Sequence, residues 1–344
     1  MWNKYKYLLA YILPAAVFFG LYQGNIWTFS GVILTFIIIP AIELFIKGNP
    51  NNFEESQEQN LARNSYFDII LYLNIPILAG TIYYYLVHLH LYTSTEIIGA
   101  TLSTGILVGS AINVAHELGH RELVFEKIFS KILLLPALYM HFYIEHNRGH
   151  HKNVGTAADP VSAKKGEILY VFWIKAIIGE YLSAWKLEND RLHKKGDSVV
   201  SIKNEMILFH FIQLTYLALC FQFFGYNGFI GAIAIALIGV LLLESINYIE
   251  HYGLRRNKLP NGFYEPVQPQ HSWNSNHEVG RIFLYELTRH SDHHYKSTRK
   301  YQILRHFDKS PQLPMGYPAA ILLALLPPIW FKIMDNTIDK LNIK

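Results

Sequence analysis

Nine of the 17 histidines in this chain fall into four short clusters. The first is His116-Glu117-Leu118-Gly119-His120, and the second is Glu145-His146-Asn147-Arg148-Gly149-His150-His151. The third holds one histidine, His251, in Asn247-Tyr248-Ile249-Glu250-His251-Tyr252-Gly253-Leu254. The fourth is Arg289-His290-Ser291-Asp292-His293-His294. Neutral imidazole is the commonest protein ligand for iron, copper and zinc. First-row ions take about four to six ligands, so nine clustered imidazoles point to two metal ions. All-nitrogen ligation with few carboxylates suits iron that binds and reduces oxygen.

The spacing suggests how the ligands present themselves. On a helix, residues four apart differ by about 40° and share a face. His116 and His120 can therefore reach one ion from successive turns. His146 and His150 repeat the spacing, and His151 points about 100° further round. His290, His293 and His294 fall at i, i+3 and i+4, which reads as one face. Glu117, Glu145, Glu250 and Asp292 stand beside these histidines and could orient imidazoles through their second ring nitrogen, or simply be solvated. The first cluster also satisfies HExxH, in which two histidines bind zinc and the glutamate is a base. A zinc peptidase needs only one or two further ligands and would leave six clustered histidines without a role.

The other histidines serve as a control. His88, His90 and His210 lie within or beyond apolar runs, away from the clusters, and His141 ends one such run without joining a box. His271 and His277 read as structural or supporting residues, and His193 and His306 as solvated surface positions.

The elements that carry these clusters are apolar. The 344-residue chain is 51% hydrophobic and only 16% charged, against roughly 25% charged in a soluble domain. Six stretches reach the roughly 20 residues needed to cross a bilayer: Tyr5–Leu21, Trp27–Ile46, Tyr66–Leu91, Glu96–Ala115, Met206–Phe224 and Phe229–Tyr248. The first is too long, and lacks the small-residue cleavage site, for a signal peptide. The connections Gly20–Asn25, His88–Thr95 and Gly225–Gly228 contain none of the 30 Lys and Arg residues. The positive-inside rule then places both termini and all four clusters in the cytoplasm. The fold class expected is all-α, a polytopic membrane protein of six transmembrane helices with a cytoplasmic histidine-rich region, in one domain spanning 1–344.

Between the spans, Lys47–Ser65 reads as a polar loop and Val161–Lys203 as amphipathic helices. The apolar run Ile132–Ile144 is too short to span and suggests a helix lying in the interface or dipping into it. Arg255–Gly280 reads as an ordered loop, followed by a helix from Ile282 that carries the fourth cluster. Pro318–Met334 contains Pro327-Pro328 and reads as re-entrant or surface-lying. The lone cysteine, Cys220, excludes an internal disulfide and a Cys-based metal site. The basic balance, with a pI near 8.8, suits anionic headgroups or an acidic soluble partner, and nothing in the chain points to nucleic acid.

These blocks resemble the integral-membrane alkane 1-monooxygenases of bacteria. The neighbouring Ser272-Trp-Asn-Ser-Asn-His277, Tyr301-Gln-Ile-Leu-Arg305 and Pro314-Met-Gly-Tyr317 are similar as well, so that the likeness runs from the first span to about residue 335. The block around His251 separates this group from acyl desaturases, which share only the general three-box pattern. Arg121 stands where many members have lysine, with charge retained. The resemblance implies a non-haem di-iron centre held by His116, His120, His146, His150, His151, His251, His290, His293 and His294. It implies O2 as cosubstrate, terminal hydroxylation of n-alkanes drawn from the lipid phase, and an inner-membrane location. It further implies electrons from rubredoxin, reduced by an NADH-dependent reductase. A related membrane di-iron fatty-acyl hydroxylase or desaturase is the alternative. Arg255, Arg256, Lys296, Arg299 and Lys300 are the candidate docking residues for an acidic donor.

Overall fold

The computed structural model describes residues 4–46 and 48–341. Lys47, with which the expected polar loop begins, and the extreme termini assigned by topology lie outside the described residues. Every regular element among the described residues is helical, apart from two isolated bridges, Lys258–Tyr264 and Asn274–Gln312. Five segments are long and apolar enough to cross a membrane. They are α1 (Tyr5–Gln23), α2 (Asn25–Glu43), α4 (Tyr66–Leu91), α5 (Ser94–Gly119) and α8 (Glu205–His251). The shorter helices include α3 (Glu55–Ala62), α6 (Val124–Leu134), α7 (Leu169–Lys194), α9 (Glu278–Phe283), α10 (His290–Tyr295), α11 (Tyr317–Ala324) and α12 (Pro327–Lys340).

Helix α8 has 47 residues and would measure about 70 Å if straight, more than twice the roughly 30 Å hydrocarbon core. It breaks at Gly225, whose φ of 66° and ψ of −165° are non-helical. Its two ends return to the same level. Glu205 at the start bonds Arg148, with an Oε2 to Nη2 distance of 3.1 Å, and His251 at the end lies against His150, ring centroids 4.8 Å apart. The fifth and sixth apolar stretches of the sequence are thus the two arms of a hairpin.

The same comparison orients the rest of the bundle. At one end, Lys6 of α1 pairs with Glu286, Glu43 of α2 accepts from Gly280 N, and Asp68 of α4 pairs with Arg121 just past α5. At the other end, Tyr92 bonds Leu21 O and Glu96 accepts from Asn25 N. The long helices therefore alternate in direction, and all four histidine clusters gather at the first end.

Helices α5 and α8 carry the first and third clusters, and glycine lets them meet. A Cβ on Gly105 would lie 2.4 Å from Ile238 Cβ, one on Gly109 would lie 2.8 Å from Leu242 Cδ2, and one on Gly239 would lie 2.7 Å from Val108 Cγ1. Gly105-Ile-Leu-Val-Gly109 is a small-xxx-small face of the kind that allows close helix contact in lipid, where burial alone drives little association.

Three expectations change. Ile132–Ile144 is not one interfacial helix. α6 ends at Leu134, and the chain turns through Pro136 and Leu138, whose φ is 52°. Val161–Lys203 holds a single 26-residue helix, α7. The helix expected from Ile282 is broken: α9 stops at Phe283, Tyr285 and Glu286 take φ values of 47° and 60°, and α10 starts afresh at His290. That left-handed pair, unusual for residues with a Cβ, is fixed by the buried Glu286. Its carboxylate receives bonds from Lys6 Nζ at 2.9 Å, Tyr7 Oη at 2.7 Å and Arg281 Nε at 2.6 Å. α11 and α12 are too short to span, in line with a surface-lying segment, and α12 buries Trp330, Met334 and Ile338.

Candidate metal centre

Each cluster reaches the centre from a different element. His116 stands in the last turn of α5, and His120 follows its end. The second cluster lies on a short helix, Phe142–Asn153, whose middle turn, His146–His150, is a π-turn. Gly149 in that turn permits close packing, since a Cβ there would lie 2.2 Å from Glu145 Oε1 and 3.0 Å from Leu187 of α7. Arg148 ties the same turn to Glu188 at 2.9 Å. His251 is the last residue of α8. α10 is set by Asn274, which accepts from Ser291 N at 2.8 Å and donates to Ser291 Oγ at 2.8 Å. Trp273 beside it donates to Tyr252 O at 2.8 Å, anchoring this loop to the end of α8.

The nine histidines form two groups. His116, His120, His146, His151 and His293 make one; His150, His251, His290 and His294 make the other. Within each group the ligand atoms all lie within 4.8 Å of one another. Nε2 of His151 is 3.2 Å from that of His120, 3.0 Å from His146 and 3.1 Å from His293. Nε2 of His290 is 3.2 Å from that of His251 and 2.9 Å from His294. Hydrogen bonding does not account for this convergence, because one ring nitrogen carries at most one proton. A shared cation does. Two nitrogens about 2.1 Å from one ion and at right angles around it lie about 3.0 Å apart, which matches these spacings. The donor set and its geometry therefore fit two transition-metal ions.

Electrostatics favours the ligating form. Burial, reinforced by neighbouring imidazoles, holds His146, His151, His290, His293 and His294 well below the ordinary histidine range, and His120 down to about 3. A neutral imidazole keeps the lone pair a metal needs. His150 differs. Burial would lower it, but Asp159 outweighs burial and raises it. Asp159, which the sequence reading missed, places both carboxylate oxygens 3.1 Å from His150 Nδ1 and also accepts from Ser162 Oγ at 2.5 Å. Only its position nine residues after His150 could have flagged it.

The grouping departs from simple helical spacing. His146 pairs with His151 rather than His150, because a π-turn aligns residues five apart. His290, His293 and His294 do not serve one ion, as His293 faces the other group. The four flanking carboxylates also divide. Glu117 pairs with Arg121 at 2.8 Å and accepts from Tyr301 N, and Asp292 pairs with Arg299 at 2.6 Å. Both are turned to structural partners, and a Glu117 so engaged is no peptidase base. Glu145 accepts from Ser183. Glu250 alone lies against a clustered imidazole, and it touches the nitrogen that converges, not the second one.

The control histidines stay out of both groups. His88 stacks on Tyr84, His210 bonds Met206 O and Tyr181, and His141 packs on Tyr139. His271 bonds Glu265 and the Gln268 N–H, and His277 bonds Ser275. His306 is half-buried rather than solvated. Among the candidate docking residues, Arg299 and Lys300 are held by Asp292 and Asp68, and Arg255 and Arg256 by backbone carbonyls. Lys296 is exposed.

Comparison with known proteins agrees with this geometry. The fatty acid desaturase family matches residues 95–321, which contain all nine clustered histidines. The chain is 38% identical to alkane 1-monooxygenase 1 of Alcanivorax borkumensis, over 98% of this chain and 85% of that protein. It is 38% identical to the alkane 1-monooxygenase of Pseudomonas putida, over 97% and 85%. It is 37% identical to that of Acinetobacter baylyi, over 98% and 85%.

Proposed function

The chain belongs to the alkane 1-monooxygenase family, and on that premise we propose that it hydroxylates the terminal methyl group of medium- or long-chain n-alkanes to 1-alkanols. One atom of O2 enters the C–H bond and the other leaves as water, consuming two electrons and two protons. The observation that carries this reading is the convergence of nine imidazoles, seven buried and two half-buried, into two groups at the end of an apolar bundle.

His116, His120, His146, His151 and His293 would hold one iron and His150, His251, His290 and His294 the second. Acid–base side chains do not attack a saturated C–H bond, and an iron pair supplies the oxidising power and the binding of O2. The protein contributes placement. Asp159 accepts the Nδ1 proton of His150, which fixes the tautomer and turns Nε2 toward the ion. Burial keeps water from the centre. A narrow apolar cavity lies beside the α5–α8 contact, bounded also by α1, α2, α9 and α11 and lined by Leu13, Ile39, Ile106, Leu242, Ile246 and Phe283 among others. Gly109 and His116 are seven residues apart, and Ile246 and Glu250 four, so the cavity faces lead along both helices to the metal groups.

The centre faces the cytoplasm of a bacterial inner membrane in this reading, with six spans in a single domain, 1–344. The uncharged connections on the opposite side support that orientation. Electrons come from rubredoxin, reduced by an NADH-dependent reductase. These 344 residues hold one cysteine and so lack the cysteine pairs that a rubredoxin uses to hold its iron. Lys296, two residues past His294 and exposed, offers an acidic donor a short route to the metal.

Purified protein with rubredoxin, reductase, NADH and either octane or hexadecane is expected to yield the 1-alcohol. Iron-loaded protein that makes no alcohol across chain lengths, yet desaturates or hydroxylates an acyl substrate, would replace this reading with the acyl-chain one.

A further inference from the structure

We propose that helix α7 lies in the membrane surface, its first half seated among lipid acyl chains and its second half in water. Its exposed residues recur at intervals of four and change character midway. Tyr170, Ile174, Ile178 and Leu182 come first, then Lys186, Asp190 and Lys194. Ile174 and Leu182 are 65% and 60% exposed, so the apolar half is not core. Its charged residues turn away from that exposed side. Lys175 pairs with Glu167 at 2.8 Å, and Glu180 is buried, accepting from Tyr139 Oη at 2.7 Å. Large exposed apolar side chains with polar groups facing the protein reverse the order of a helix in water.

Helix α8 supplies a depth scale, because both of its arms end at the histidine clusters. Trp173 Nε1 donates to Ser245 Oγ at 3.1 Å; Ser245 lies six residues before the end of α8, about 9 Å along the helix. Tyr181 Oη stands 3.0 Å from His210 Nε2, five residues after the start of α8, about 8 Å along the helix. Towards its ends α7 meets residues nearer the tips. Glu167 O, just before α7, accepts from Tyr248 Oη at 2.6 Å, and Glu188 Oε1 accepts from Glu205 N at 2.8 Å. The deepest stretch of α7 is therefore its apolar one, and the helix climbs outward where Lys186 replaces Leu182.

The apolar stretch also continues the lipid-facing surface of the bundle. On α8 the exposed apolar residues begin at Ile207 and Leu208 and run on to Phe211, the level at which Tyr181 meets His210. On the other side Tyr170 Oη donates to Leu325 O at 2.7 Å, beside exposed Leu326 and Ile329. An amphipathic helix in this position buries its apolar side about 5–10 Å into the boundary of headgroups and acyl chains. α7 also braces the second histidine cluster, through Ser183 to Glu145 at 3.1 Å and Glu188 to Arg148 at 2.9 Å. Lipid contact then helps to hold that cluster at headgroup depth.

Spin labels on single cysteines test this in the full chain, reconstituted in vesicles of phosphatidylethanolamine and phosphatidylglycerol. The native thiol is removed by Cys220→Ala, and Ile174→Cys, Ile178→Cys, Lys186→Cys and Lys194→Cys are labelled in turn; all four positions point outward and leave the packing intact. Collisions with oxygen, which concentrates in lipid, are compared with collisions with a water-soluble nickel chelate. Labels at the Ile174 and Ile178 positions are expected to give an oxygen-to-nickel ratio several-fold above those at Lys186 and Lys194. A ratio at Ile174 and Ile178 equal to that at Lys194 would put the stretch in water and overturn the proposal. Labels there shielded from both reagents would overturn it too, since a second copy or another protein would then cover the stretch. Phe211→Cys on α8 is the control. It should report lipid wherever α7 lies, and a label there in water would instead refute the membrane placement of the span.

Discussion

Asp159 grips His150 from behind: both of its carboxylate oxygens stand 3.1 Å from Nδ1, on the side of the ring away from the metal group. His150 is the one clustered histidine whose ring is raised rather than lowered in pKa, because the carboxylate outweighs burial. Asp159→Asn keeps the shape but removes the charge. Iron affinity is expected to fall by about 10- to 100-fold, read by iron content after graded chelation. Unchanged retention would show that the contact does not support the ligand.

The π-turn at His146–His150 makes a prediction that helical spacing alone would not. His146→Ala and His151→Ala should perturb the same iron environment, and His150→Ala the other. Mössbauer spectra of the three variants decide this. If His146→Ala and His150→Ala disturb the same doublet, the turn does not sort the ligands as described.

Lys296 is exposed, whereas Arg299 and Lys300 are tied to Asp292 and Asp68. Lys296→Glu should raise the rubredoxin KM several-fold at low salt, with the effect shrinking as salt rises, since surface charge acts mainly on encounter. Thermal stability should not change. Lys300→Glu should instead lower the melting temperature. A KM untouched by Lys296→Glu would move the docking surface elsewhere.

Glu286 locks the left-handed turn ahead of α10. Burial would raise its carboxyl, but Arg281, Lys6 and Arg289 outweigh burial and hold it far below the usual carboxylate range. A carboxyl depressed in the folded state stabilises it above the unfolded value of about 4.3 and loses that contribution as pH falls toward the folded value. Glu286→Gln should therefore cost about 3–5 kcal/mol at neutral pH, and the gap to wild type should narrow progressively below about pH 4.3. Thermal melts of detergent-solubilised protein across that range provide the measurement. A gap that stays constant with pH would mean the charge is not what holds the turn.

How much was legible in the chain follows from the range of each interaction. Apolar length and the uneven placement of Lys and Arg show in sequence because a bilayer acts on each segment by itself. The reading of Ile132–Ile144 as one helix failed because hydropathy does not report the turn at Pro136 and Leu138. The helix expected from Ile282 failed because Tyr285 and Glu286 are held in left-handed geometry by Lys6, about 280 residues away, and local propensity carries no trace of so distant a partner.

The sequence by itself determined the candidate ligands, since imidazoles clustered after apolar runs are a property of composition and order. It also determined the family, through the blocks around those histidines. Only the tertiary structure decided which histidine joins which group. A π-turn moved His151 beside His146, a chain reversal at Gly225 brought His251 back to His150, and close packing at Gly109 and Gly239 set α5 against α8. Those are relations among distant elements in three dimensions, and so is the position of Glu250, which looked in sequence like an orienting neighbour and places Oε2 3.2 Å from Nε2 of His290.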